Sequence, residues 1–153
     1  MTPEHKATTS GPADPFSIDI NFGHPTWDPL RVSSALALEP NWSWKQGDRL
    51  GNLIKSSSRW YGQLAKGSGA VEYETALEQI VSFLAKHADF LAQFRESGGE
   101  IDIVLNHAAV EQPKGIAFEL YLSPAFLEHL SGSGVGLRVQ AWSDNPSWSP
   151  TSC

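Results

Sequence analysis

The sequence predicts an α+β fold: a largely antiparallel six-stranded sheet in β-α-β-β-α-β-β-α-β order, with helices packed on one face. Three observations carry this expectation. Segments with a two-residue apolar period recur along the chain, a long segment between them has a helical period, and two shorter helices each open on a cap residue followed by proline. The 153 residues suit one domain with one core. Residues 1–14 and 144–153 are rich in Ser, Thr, Gly or Pro and read as loose tails around a single domain over 15–143.

Phe16, Ile18, Ile20 and Phe22 alternate with Ser17, Asp19 and Asn21, the pattern of a first strand with one buried face. Asp28-Pro29 then supplies an N-cap and a residue pre-organised for the first helical position. Leu30, Val32, Ser33, Leu36 and Ala37 follow at helical spacing, and Pro40 ends that helix. Trp42-Ser43-Trp44 and residues 58–64 read as two strands joined by a charged, Gly-containing turn over 45–55.

Over 73–97, Leu77, Ile80, Val81, Leu84, Ala88, Leu91 and Phe94 form one stripe, widened by Phe83, His87 and Phe90, which predicts one long helix. Glu72, Glu74 and Glu78 near its start and Arg95 near its end suit the helix dipole, and Gly98-Gly99 supplies a left-handed stop. Ile101, Ile103 and Leu105 alternate again, and a loop with Pro113 and Gly115 leads to Ile116, Phe118, Leu120 and Leu122, a second hairpin. Ser123-Pro124 opens a short helix, residues 132–136 break it, and Val135, Leu137, Val139 and Ala141 predict the last strand.

Composition excludes several classes of function. Eleven Lys and Arg stand against 17 Asp and Glu, and a net charge of −6 repels phosphate backbones while favouring a basic protein surface. Nucleic acid is therefore not an expected partner. The single cysteine, Cys153, allows neither an internal disulfide nor a cysteine zinc site, which points to a reducing, cytoplasmic setting. The N-terminal residues show no basic run followed by an apolar stretch, so neither secretion nor membrane insertion is expected.

The local signatures of catalysis are missing: there is no Gly-x-Ser-x-Gly elbow, phosphate-binding Gly loop, His-Glu-x-x-His or calcium loop. The Gly132-Ser133-Gly134-Val135-Gly136 run precedes a strand, whereas a phosphate cradle precedes a helix, so it reads as a helix stop. Five histidines are scattered without the three- or four-residue spacing that puts two imidazoles on one helix face. His87 reads as a core or boundary residue, and His24 and His107 have no partner visible in the sequence. Glu72, Glu74 and Glu78 are explained by their place at a helix start. No catalytic residue, cofactor or metal site is expected.

Strand phase points to a binding surface instead. Arg59, Tyr61 and Gln63 fall on the outward phase of one strand, Glu119 and Tyr121 on another, and Arg138, Gln140 and Trp142 on the last. Trp60 falls on the inward phase. With all helices on one face of the sheet, these eight residues would form an open polar-aromatic surface on the other, rich in the residue types that dominate binding hot spots. The competing explanation is an exposed sheet face that needs aromatic cross-strand pairs for stability alone. Aromatic sheet faces also serve as single-stranded RNA platforms, but the basic-aromatic strand motif of those is missing here.

The opening strand, the helix closing on Leu38-Glu39-Pro40, the Trp44-Lys45-Gln46-Gly47-Asp48 turn, Trp60 at the next strand, the long helix and the final strand after a Ser-Pro helix together resemble bacterial domain-of-unknown-function family 4279. The resemblance spans nearly the whole folded part. It implies no catalytic residues, and it suggests an immunity-type protein that neutralises a co-encoded toxin by occluding a basic surface. The expected partner is thus a protein, such as a basic toxin domain, with pairing of two copies through the outward face as a further arrangement. The alternative from another class is a small-molecule-binding protein or enzyme whose site is assembled from distant residues such as His107, Asp48 and Arg49.

Overall fold

Phe16, Ile18, Ile20 and Phe22 line one face of β1 (Pro15–His24) and are all buried, as their alternation requires. The computed structural model describes residues 15–108, 110–112, 115–117 and 120–142, so both predicted tails lie outside the described residues. After β1 come α1 (Pro29–Leu36), β2 (Trp42–Trp44), the short β3 (Arg49–Leu50) and β4 (Leu53–Ile54), and β5 (Ser58–Ser68). The chain continues through α2 (Ala70–Lys86), α3 (Ala88–Glu96), β6 (Glu100–Ala108), β7 (Val110–Gln112), β8 (Gly115–Ala117), α4 (Pro124–Ser133) and β9 (Gly136–Trp142).

The fold is α+β, with four helices and a mixed five-stranded sheet in the order β2-β5-β1-β6-β9. β1 is central and pairs antiparallel with both β5 and β6, while β9 runs parallel to β6. Residues of all four helices, among them Val32, Ile80, Leu91 and Phe126, enter one core with Ile18, Ile20, Trp60, Ile103 and Leu105 of the sheet. The Trp60 indole N–H donates to Ser33 Oγ of α1 at 2.9 Å, so the largest core side chain is both packed and satisfied.

Local end signals act as the sequence predicts. Asp28 accepts from the Leu30 N–H at the start of α1, Ser123 accepts from the Phe126 N–H at the start of α4, and Gly98 takes a left-handed conformation (φ +100°) after α3. His24 adds a tie between elements. Its Nδ1 accepts the backbone N–H groups of Thr26 and Trp27, which leaves Nε2 to donate to the Ser97 carbonyl and brace the end of β1 against the end of α3.

The structure corrects four expectations. The six-stranded, largely antiparallel sheet is a five-stranded mixed one: the first strand of the second predicted hairpin forms as β6, but β9 takes the free edge of β6 in parallel and leaves none for the second strand over 116–122. Of the residues expected in that second strand, Ile116 lies in the three-residue β8, which pairs in a separate ribbon with β7, a segment expected as loop; Phe118 lies outside the described residues, and residues 120–122 are not in a strand. The predicted long helix is two helices, broken where His87 leaves helical dihedrals (φ −106°, ψ 15°). Val139, expected inside, is exposed: β9 is an edge strand, and among its described side chains only Leu137 packs against the core.

Candidate binding surface

On β1 the residues between the buried apolar ones are Ser17, Asp19, Asn21 and Gly23, and strand pleating turns them to the face opposite the core. Register then decides what stands beside them. Asn21 pairs with Tyr61 and Asp102, Gly23 with Arg59, and Ser17 with Asn106. On the outer strands Trp42 pairs with Tyr61, Trp44 with Arg59, Arg138 with Val104 and Gln140 with Asn106. The buried apolar residues of the helices, among them Val32, Ile80, Leu91 and Phe126, pack in the core on the other side of the sheet.

Aromatic and polar halves meet at Tyr61. Its ring stacks on Trp42 (centroids 4.8 Å apart, planes 6° apart), and Trp42 stacks on Trp44 (4.7 Å, 10°). Lys55 Nζ lies 4.0 Å from the Trp44 ring centroid and extends the row with a cation–π contact. Trp42, in the middle, remains 43% exposed.

On its other side Tyr61 donates its phenol to the Asp19 carboxylate at 2.7 Å. The Asn106 amide and the Ser17 hydroxyl donate to the same carboxylate oxygen. Burial nevertheless dominates, and it holds the Asp19 carboxyl above the ordinary carboxylate value, with these hydrogen bonds pulling the other way. Burial, reinforced by the bond to Asp19, also pushes the Tyr61 phenol up to about 12, so it stays a donor at neutral pH. Arg59 lies flat over Gly23, where a Cβ would sit 2.7 Å from its Nη1, and Arg138 pairs with Asp102 at 3.4 Å. Asn21 Oδ1 is buried on the same face without a hydrogen-bond partner.

Of the eight residues expected on this surface, Arg59, Tyr61 and Gln63 of β5 and Arg138 and Gln140 of β9 lie on the face opposite the core, whose central Asp19, Asn21 and Val104 are buried. Trp142 closes β9, and its side chain lies outside the described residues. Glu119 also lies outside them. Tyr121 is a correction: it is 74% exposed but precedes α4 in a non-strand segment, because the strand expected to carry it does not form.

No family model, curated protein or solved structure matches the chain.

Strand phase missed Trp42 and Trp44, although their spacing of two already places both on one face of a strand. It also missed Asp19, Asn106 and Asp102, whose importance comes from neighbours far along the chain. The alternative constellation is not assembled. His107 pairs with Phe16 at the start of β1, whereas the turn holding Asp48 and Arg49 is bonded through Gln46 to Ser58, the partner of His24 at the other end. Eight residue steps along β1 separate these ends, roughly 26 Å. His107 instead packs against the Tyr73 and Phe16 rings on the core side.

Proposed function

We propose that the chain is a non-enzymatic protein-binding module of the immunity type, which holds a partner protein, a toxin domain in this reading, against the open sheet face. One observation carries the proposal: Trp42 stands exposed in an ordered stack, braced through Tyr61 by the buried Asp19 and its half-buried donor Asn106. Rigid, pre-organised aromatic side chains lose little entropy on binding and are the residues most often found as interface anchors. The unsatisfied Asn21 Oδ1 adds support, since such local costs tend to persist where a surface has a use other than stability. The net charge of −6 favours long-range attraction of a partner that is basic overall.

The test uses the purified chain as bait in lysate of its source, beside a Trp42→Ser variant of equal melting temperature. A single protein retained in one-to-one ratio by the wild type, and about tenfold less by the variant, is the expected result. Equal retention by both would remove the sheet face from the reading. An empty wild-type bait would remove the protein partner.

A further inference from the structure

Charge is segregated along this chain. Residues 42–68 hold five cations (Lys45, Arg49, Lys55, Arg59 and Lys66) and one anion, Asp48, within a chain of net charge −6. Asp48 is itself exposed, and its carboxylate accepts the Lys45 N–H at 2.8 Å across the turn. The helical layer is the converse, with Glu72, Glu74, Glu78, Asp89 and Glu96 all exposed on α2 and α3.

The hairpin of β3 and β4 lies within this cationic stretch. Its base is well held: the Gly47 N–H donates to Lys55 O, the Lys55 N–H to Asp48 O, and the Gln46 N–H to Ser58 Oγ. Its tip carries Leu50, Leu53 and Ile54, exposed by 58%, 68% and 64%. Packing among the described residues does not account for three large apolar side chains exposed on a pinned backbone, and clustered exposure of this kind marks interaction sites. The hairpin also continues the aromatic row, because Lys55 at its base is the cation over Trp44.

We propose that this hairpin is a second contact element of the same binding surface, and that it receives a segment of the partner protein that is acidic and carries apolar side chains. The proposal rests on the protein-binding reading and adds the local chemistry of the partner. Net charge governs encounter over long distances, whereas contact is decided by groups within about a Debye length of roughly 8 Å. A partner that is basic overall can therefore present an acidic segment here. The same screening argues against an anionic membrane or a nucleic acid as the occupant. Either would spread negative charge over the whole chain, including the acidic helical layer, whereas a short peptide segment meets only the cationic hairpin.

The test measures binding of a fluorescent synthetic peptide of alternating glutamate and leucine to the full chain. Its controls are the lysine–leucine counterpart, a single-stranded oligonucleotide, and vesicles of mixed phosphatidylserine and phosphatidylcholine. The glutamate peptide is expected to bind, to weaken as salt is raised, and to lose about tenfold or more in affinity with Leu53→Ser plus Ile54→Ser and with Arg49→Glu. These positions are exposed, so an unchanged melting temperature confirms that the variants fold. No binding of the glutamate peptide, equal binding by the variants, or tighter binding of the lysine peptide, oligonucleotide or vesicles would each overturn the assignment. Partner capture from lysate that is lost in Trp42→Ser but intact in the hairpin variants would sink the hairpin's role and leave the protein-binding reading standing.

Discussion

The Tyr61 phenol and the Asp19 carboxylate, 42 residues apart in sequence, meet at 2.7 Å across adjacent strands, and their bond joins the aromatic half of the open sheet face to its polar half. Asp19 is buried there with Asn106 and Ser17 as its other donors. The strength of this junction can be measured directly.

Tyr61→Phe keeps the ring that stacks on Trp42 and removes only the donor to Asp19. Hydrogen bonds to a charged, largely buried acceptor contribute about 1.5–3 kcal/mol, so the unfolding free energy of the variant is expected to fall by an amount in that range, read as a lower urea midpoint. The near-ultraviolet circular dichroism of the Trp42–Trp44 stack should persist. A midpoint equal to wild type would show that the bond contributes nothing net.

Asp19 also sets a pH dependence. Its folded-state carboxyl titrates above the ordinary value of 3.8 because it is buried, so the folded chain holds this proton more tightly than the unfolded chain does. The stability it contributes is fully present below that value and is lost as pH rises through the raised folded-state pKa. Asp19→Asn, which still accepts from Tyr61 and Asn106, should therefore gain on the wild type as pH rises from acid to neutral. Urea midpoints that stay parallel across this range would contradict the assignment.

Gly62 lies beneath the indole of Trp60, and a Cβ there would overlap the ring. Trp60 is pinned by its bond to Ser33 and by an edge contact with Phe22, so it cannot move aside without breaking one of them. Overpacking of this kind costs about 1–3 kcal/mol, and Gly62→Ala should lose that much in equilibrium unfolding. Pairing it with Trp60→Phe should recover part of the loss, a non-additivity that a double-mutant cycle would read.

Ser123 caps α4 by accepting the Phe126 N–H at 3.1 Å, and α4 delivers Phe126 and Leu130 to the core. Ser123→Ala is expected to cost about 1 kcal/mol, with Ser123→Asp close to wild type. An alanine variant as stable as wild type would mean that proline at the first helical position suffices to start the helix.

Much of the fold was legible in the sequence because its signals are local. The period of β1, the Asp28-Pro29 and Ser123-Pro124 helix starts and the Gly98 stop each depend on residues within a turn or two of one another. The outward phase of Arg59, Tyr61, Gln63, Arg138 and Gln140 followed from the same alternation. Tyr121 did not follow, because alternation shows which face a residue would take in a strand and not whether a sheet edge is available to make the strand.

The sequence by itself therefore determined an α+β chain, a buried face for β1, β5 and β6, and the outward phase of Arg59, Tyr61 and Gln63 on β5 and of Arg138 and Gln140 on β9. Only the tertiary structure decided that β9 would lie parallel beside β6, that Trp42 would stack between Trp44 and Tyr61, and that Asn106 would reach Asp19 from 87 residues away. The physical reason is the range of the interactions. Dihedral preferences, caps and periodicity act between near neighbours, while strand pairing is a competition among edges that is resolved only when the whole sheet assembles.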